Sequence, residues 1–197
     1  MLSRLTTPNI LTIVRVALIP LFIVICYLPA WLPRGTFDSY YTDFAAALTF
    51  SVASLTDWLD GLIARKWNQS TELGAFLDPV ADKLLVVCAL VLLVRWHRTY
   101  AFLAIIIISR ELCVTALREL MARKRLSEVI AVAKLGKWKT AAQMTAIIML
   151  LLRQFPYTHW DLILIGNFFL FIAAYFTISS FIYYLKAIYL QFKTQPF

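Results

Sequence analysis

The sequence predicts an all-α, polytopic membrane protein with six transmembrane helices and both termini cytoplasmic, folded as one domain over residues 1–197. Three observations lead there. Of its 197 residues, 61% are hydrophobic and only 15% charged, whereas a soluble domain is about half apolar and a quarter charged. The apolar residues gather into runs close to the roughly 20 residues that a bilayer requires. Basic residues cluster between alternate runs, with the asymmetry that orients membrane proteins.

The first span is expected over 10–28. It is too long for a signal h-region, and no small-residue cleavage site follows it. Residues 1–8 (MLSRLTTP) would precede it as a short interfacial helix. Pro29 and Pro33 bracket the first turn, with Trp31 as an interfacial anchor. Further spans are expected over 44–62 and 76–94, joined by a connection of roughly 66–74 that would leave Glu72 in a hydrated loop. A fourth runs over 100–116. The fifth is short, about 138–152, carries Gln143 and Thr145, and is expected to borrow a turn or two from 129–137. The last covers 162–185. Trp96, Tyr100, Tyr157 and Trp160 mark other boundaries.

Six spans place both termini on one side. The loops there hold Arg4, Arg65, Lys66, Arg123, Lys124, Arg125, Lys134, Lys137, Lys139, Lys186 and Lys193, against Arg34, Arg95, Arg98 and Arg153 on the other. That asymmetry puts the termini in the cytoplasm. The net charge of +8 flanks apolar spans and forms no stripe interleaved with aromatics, so it fits anionic lipid and not nucleic acid. Cys26, Cys88 and Cys113 each sit inside an apolar run. Their odd number and spacing give neither a disulfide framework nor a zinc site, and they are expected to act as small core residues.

Four acidic residues lie in or against the second and third spans: Asp57, Asp60, Asp78 and Asp82. An ionised carboxylate at membrane depth is costly unless paired or bound to metal. Residues 57 and 60 are three apart and 78 and 82 four apart, so each pair shares a helix face. A short connection places both pairs at one end of a helical hairpin. Four hard oxygen donors suit Mg²⁺ or Mn²⁺, and suffice for two ions if one carboxylate bridges. No nearby His or Cys supports zinc. The plainer readings are a helix N-cap, an ion pair with the adjacent Lys83, or the carboxylates of a metal or proton transporter. A transporter would also need polar groups in the far halves of its spans, where few occur. Asp57-Trp-Leu-Asp60-Gly lacks the alternating ligands of an EF-hand, and Gly136-Lys137-Trp138-Lys139-Thr140 lacks the preceding glycine of a P-loop.

The stretch reads Asp57, two residues, Asp60-Gly61, two residues, Ala64-Arg65, eight residues, Gly74, three residues, Asp78, three residues, Asp82. This resembles the signature of the CDP-alcohol phosphotransferases at every fixed position, and that family's six-helix fold agrees with the span count. The resemblance implies that an alcohol attacks the β-phosphorus of a CDP-linked lipid, releasing CMP. It implies Asp57, Asp60 and Asp78 as ligands of two Mg²⁺ or Mn²⁺ ions, with Asp82 as a further ligand or as the general base. It assigns the nucleotide to Asn9, Asp57, Asp60, Gly61, Ala64, Arg65 and Gly74. Gly61, Ala64 and Gly74, taken alone, also fit tight helix packing.

Beyond that stretch, Thr7-Pro8-Asn9-Ile10-Leu11-Thr12 with Arg15, Ser109-Arg110-Glu111 leading to Thr115-Ala116-Leu117-Arg118-Glu119, and Gly136–Thr140 with Gln143-Met144 are similar to the branch of the family that acts on CDP-diacylglycerol and sn-glycerol 3-phosphate. That acceptor is a dianion and needs cations near the carboxylates. Arg110 and Arg118, two turns apart, and Lys137 and Lys139 are the candidates; as flanking charges they would instead be topology signals. Arg110, inside an apolar run, would pair with Glu111 or hold phosphate. The sibling alternative accepts phosphatidylglycerol and makes cardiolipin. The resemblance further implies a homodimer in a bacterial inner membrane, with the site facing the cytoplasm.

Overall fold

The computed structural model describes residues 7–31, 39–67, 72–123, 133–154 and 161–194. They form six helices: α1 (Thr7–Trp31), α2 (Ser39–Trp67), α3 (Glu72–Arg95), α4 (Ala101–Arg123), α5 (Ala133–Leu152) and α6 (Leu162–Thr194). Among the described residues the only β pairing is one bridge, Gln154 with Asp161. Residues 1–6, Pro33, Tyr157 and Trp160, on which expectations were placed, lie outside the described residues, and Thr7 and Pro8 already belong to α1.

Each expected span lies within one helix, apart from Tyr100, which precedes α4, but most helices run on past the apolar run. Hydropathy marks only what suits lipid, whereas helix propensity continues through Ala, Leu, Arg, Lys and Glu. Thus α2 continues through Ala64-Arg65-Lys66-Trp67 and α4 through Arg118-Glu119-Leu120-Met121-Ala122-Arg123. This corrects two expectations. Glu72 is the first residue of α3, not a loop residue, and Gly74 is helical; only 68–71 separate α2 from α3. Pro29 likewise lies in the last turn of α1 and does not end it.

The core is apolar and shared by all six helices: Phe22, Phe50, Leu90, Leu93, Leu103, Ile107, Ile147, Leu150 and Leu170 are fully buried. Phe22 of α1 meets Phe50 of α2 with ring centroids 6.2 Å apart. α5 and α6 pack most extensively. At Gly166 a Cβ would stand 2.8 Å from the Leu150 side chain and 3.3 Å from the Ala146 carbonyl, so glycine permits this close approach. Cys26 is buried and Cys88 partly buried, but Cys113 is exposed on α4 and is not a core residue.

The outward faces are apolar as well. Leu164, Tyr175, Ile105, Phe168 and Leu112 are more than half exposed, more apolar surface than water-soluble monomers usually present. One stretch among the described residues, Leu162–Lys186, is long and apolar enough to cross a membrane; Val16–Pro29 and Thr140–Leu152 are apolar over shorter lengths. Charges within the other helices, such as Arg110 and Glu111 in α4, interrupt their apolar stretches.

At the end of the bundle away from the aspartates, α3 closes in a Schellman turn. The His97 N–H donates to the Val94 carbonyl and the Arg98 N–H to the Leu93 carbonyl, with His97 at φ 57° where glycine is usual. The turn delivers Arg98 inward. Its Nη2 contacts both Asp43 carboxylate oxygens at 2.7 Å, and its Nη1 donates to the Leu151 carbonyl at 2.9 Å. The Asn167 amide donates to the Arg98 carbonyl at 2.9 Å and accepts from Thr99 Oγ1 at 2.8 Å. Arg98 was expected as an interfacial flanking charge; it is instead a part-buried tie, its side chain 11% exposed, among α2, α5 and α6. Arg95 does stay at the rim, with its guanidinium 4.8 Å above the Tyr27 ring.

Candidate active site

α2 runs unbroken through positions 57 and 60 and ends at Trp67; α3 starts at Glu72 and runs unbroken through 78 and 82. The four-residue connection therefore places the two aspartate pairs at the same end of the hairpin. Gly61, Ala64 and Arg65 follow on α2 and Gly74 precedes on α3. Asn9 is in the first turn of α1, Arg118 near the end of α4, and Lys137 and Lys139 near the start of α5. The side chains of all these residues lie outside the described residues. Among the described residues no group of three His, Cys, Asp or Glu forms a metal site. The donor set on α2 and α3 is all carboxylate, which fits Mg²⁺ or Mn²⁺ in chemical type.

Next to these positions the structure has a cavity of about 70 Å³ between α3, α4 and α5, lined by the polar Lys83, Glu111, Thr140 and Gln143 and by Val86, Val87, Ile107, Ile108 and Met144. Three of its polar residues directly follow candidate site residues, each on a different helix: Lys83 follows Asp82, Glu111 follows Arg110, and Thr140 follows Lys139. Lys83 Nζ donates to Thr115 Oγ1, which in turn donates to the Glu111 carbonyl at 2.7 Å. One hydrogen bond, from Lys83 to Thr115, thus joins α3 and α4 beside the cavity. Gln143 is 4% exposed, and Ser54 Oγ of α2 lies 3.7 Å from Met144 Sδ.

Arg110, the one candidate acceptor residue whose side chain is described, is turned toward α6. Its Nη2 donates to Ser180 Oγ at 2.8 Å and its Nη1 to Glu111 Oε1 at 3.4 Å, with the side chain 15% exposed. Ser180 Oγ donates onward to the Thr177 carbonyl at 3.0 Å. The expected Arg110–Glu111 pair is present, and α6 contributes a contact that hydropathy alone had not suggested.

Sequence reasoning singled out neither the cavity nor Lys83, Thr115, Thr140 and Gln143 as its lining or wall. A signal existed: Gln143 is an amide inside an otherwise apolar run, and polar groups at such positions mark functional interiors.

A family model described as CDP-alcohol phosphatidyltransferase matches residues 5–179. The chain is 48% identical over 185 residues to the CDP-diacylglycerol--glycerol-3-phosphate 3-phosphatidyltransferase of Haemophilus influenzae, covering 93% of each chain. It is 45% identical over 183 residues to proteins of the same description from Shigella flexneri and Escherichia coli K12, covering 91% of this chain and 93% of each relative.

Proposed function

The chain belongs to the CDP-alcohol phosphatidyltransferase family, and from that premise we propose that it transfers the phosphatidyl group of CDP-diacylglycerol to sn-glycerol 3-phosphate. The products are phosphatidylglycerophosphate and CMP. What carries the reading is the convergence of three helices: positions 82, 110 and 139 each precede a polar residue lining one cavity between α3, α4 and α5. The descriptions of the similar proteins name both substrates.

In this reading Asp57, Asp60 and Asp78 hold two divalent ions, with Asp82 as ligand or base. When bound, such ions offset the pyrophosphate charge and favour in-line displacement. Asp82 takes the proton of the attacking hydroxyl as the new P–O bond forms and CMP departs. Its modest basicity is offset by proximity. Asn9, Gly61, Ala64 and Gly74 line the nucleotide and Arg65 pairs with phosphate. Arg118, Lys137 and Lys139 hold the acceptor phosphate, and Arg110 joins them only by exchanging its contacts to Ser180 and Glu111 for the phosphate. All six helices then cross a bacterial inner membrane with both termini cytoplasmic, and the active unit is a homodimer.

The test is direct. Purified protein with CDP-diacylglycerol and Mg²⁺ is offered glycerol 3-phosphate, phosphatidylglycerol, serine and inositol separately. CMP release with glycerol 3-phosphate alone is expected; release with phosphatidylglycerol instead would move the chain to the cardiolipin-forming branch.

The cationic residues give a sharper expectation. Neutralising Arg118 as Arg118→Gln should lower kcat/KM for glycerol 3-phosphate by roughly 10- to 150-fold, the worth of a charge-assisted contact of about 1.5–3 kcal/mol. The loss should fall mainly on the acceptor KM, leaving the KM for CDP-diacylglycerol nearly constant. A residue acting only as a topology signal would lower insertion and leave both KM values alone.

A further inference from the structure

Gln143 stands out within the cavity. It is 4% exposed and lines the space between α3, α4 and α5, yet no described residue hydrogen-bonds its side-chain amide. Its amide atoms are not among the fully enclosed orphans of the described residues, Arg110 Nε and Thr177 Oγ1, so its hydrogen-bonding capacity faces the cavity it lines, where a ligand can complete it. An amide both donates and accepts, so it suits a hydroxyl, which does the same.

We propose that Gln143 is a specificity-determining residue that reads a hydroxyl of the polyol phosphate acceptor, the one not consumed in the reaction. This rests on the function proposed above. The register supports it: position 143 is four residues, or about 6 Å of helix rise, deeper along α5 than position 139. That is the order of the distance from the phosphate of a three-carbon polyol phosphate to its central hydroxyl. The cavity of about 70 Å³ has room for a small polar group, well above the roughly 10–15 Å³ needed for one water. Val86, Ile107 and Met144 make part of the wall apolar, and Lys83, Glu111 and Thr140 are the other polar residues that line it.

The experiment compares glycerol 3-phosphate with 3-hydroxypropyl phosphate, which lacks only the central hydroxyl. The wild-type protein should prefer glycerol 3-phosphate in kcat/KM by roughly 10- to 100-fold, because the analogue leaves the amide unpaired. Gln143→Leu should bring the ratio close to one by slowing glycerol 3-phosphate, with the analogue and the KM for CDP-diacylglycerol nearly unchanged. An unchanged ratio in Gln143→Leu would overturn the assignment. Gln143→Met, of similar length, serves if the leucine variant does not fold, and a wild-type protein indifferent to the missing hydroxyl would overturn it without any variant. Wild-type protein that uses neither polyol phosphate but another acceptor strikes the proposed function itself, an outcome distinct from an unchanged ratio in a protein active on glycerol 3-phosphate.

Discussion

Asp78→Asn should lower kcat by on the order of a thousandfold or more at equal folded yield. The substitution keeps size and removes the charge that would hold a divalent ion. A metal supplies several kcal/mol of transition-state charge stabilisation, and each 1.36 kcal/mol is about a factor of ten in rate. Glu72→Gln is the matched control. Glu72 opens α3 six residues before Asp78, so its loss removes only a favourable interaction with the helix N-terminus, about 0.3–1 kcal/mol of stability. Turnover there should stay within about threefold. Exhaustive EDTA treatment should silence the wild-type protein as completely as Asp78→Asn, and Mg²⁺ or Mn²⁺ should restore it. Comparable kcat losses in the two variants would break the assignment of the carboxylates.

Arg98→Met should destabilise the fold by about 3–5 kcal/mol, the usual cost of stranding one partner of a buried ion pair. Asp43 would lose its ion-pair partner, and the Leu151 carbonyl would lose its donor. For a protein of this size that is roughly 6–20 °C in Tm, read by thermal unfolding in detergent. The double variant Asp43→Leu/Arg98→Met should recover much of the loss, since an apolar pair often replaces an ionic one at little cost. Activity per folded molecule should barely change: position 43 lies fourteen residues, about 21 Å of helix, from position 57. A single variant within about 1 kcal/mol of wild type would show that the tie is incidental.

The helices were legible because lipid imposes a length and a composition, and both leave marks in the chain. Their ends were not. Ala64–Trp67 and Arg118–Arg123 are charged, so hydropathy falls there while helix propensity does not, and Glu72 looked like loop for the same reason. The aspartates were legible because carboxylates in apolar runs need a reason. Arg98 shows the limit. A cation just past an apolar run reads as a topology signal, and only the turn at His97 and the distant Asp43 make it a structural pair. Cys113 was misjudged because apolar surroundings in sequence do not distinguish a core face from an outward one. The cavity is a property of three helices meeting, and no single stretch encodes it, although the lone amide at position 143 was visible throughout.

The tie at Arg98 also bears on how the chain is assembled as it emerges during synthesis. Its partners come from position 43, from the end of α5 at 150 and 151, and from Asn167 near the start of α6. Arg98 is made after Asp43 but before Leu151 and Asn167, so its guanidinium meets the α5 carbonyls, and its own carbonyl meets the Asn167 amide, only as α5 and then α6 arrive. A product truncated before Asn167 keeps the arginine and lacks a lock that the complete chain has. Completion of the final helix therefore supplies the last hydrogen bond of the turn, so the end of the chain fixes a corner laid down near its middle.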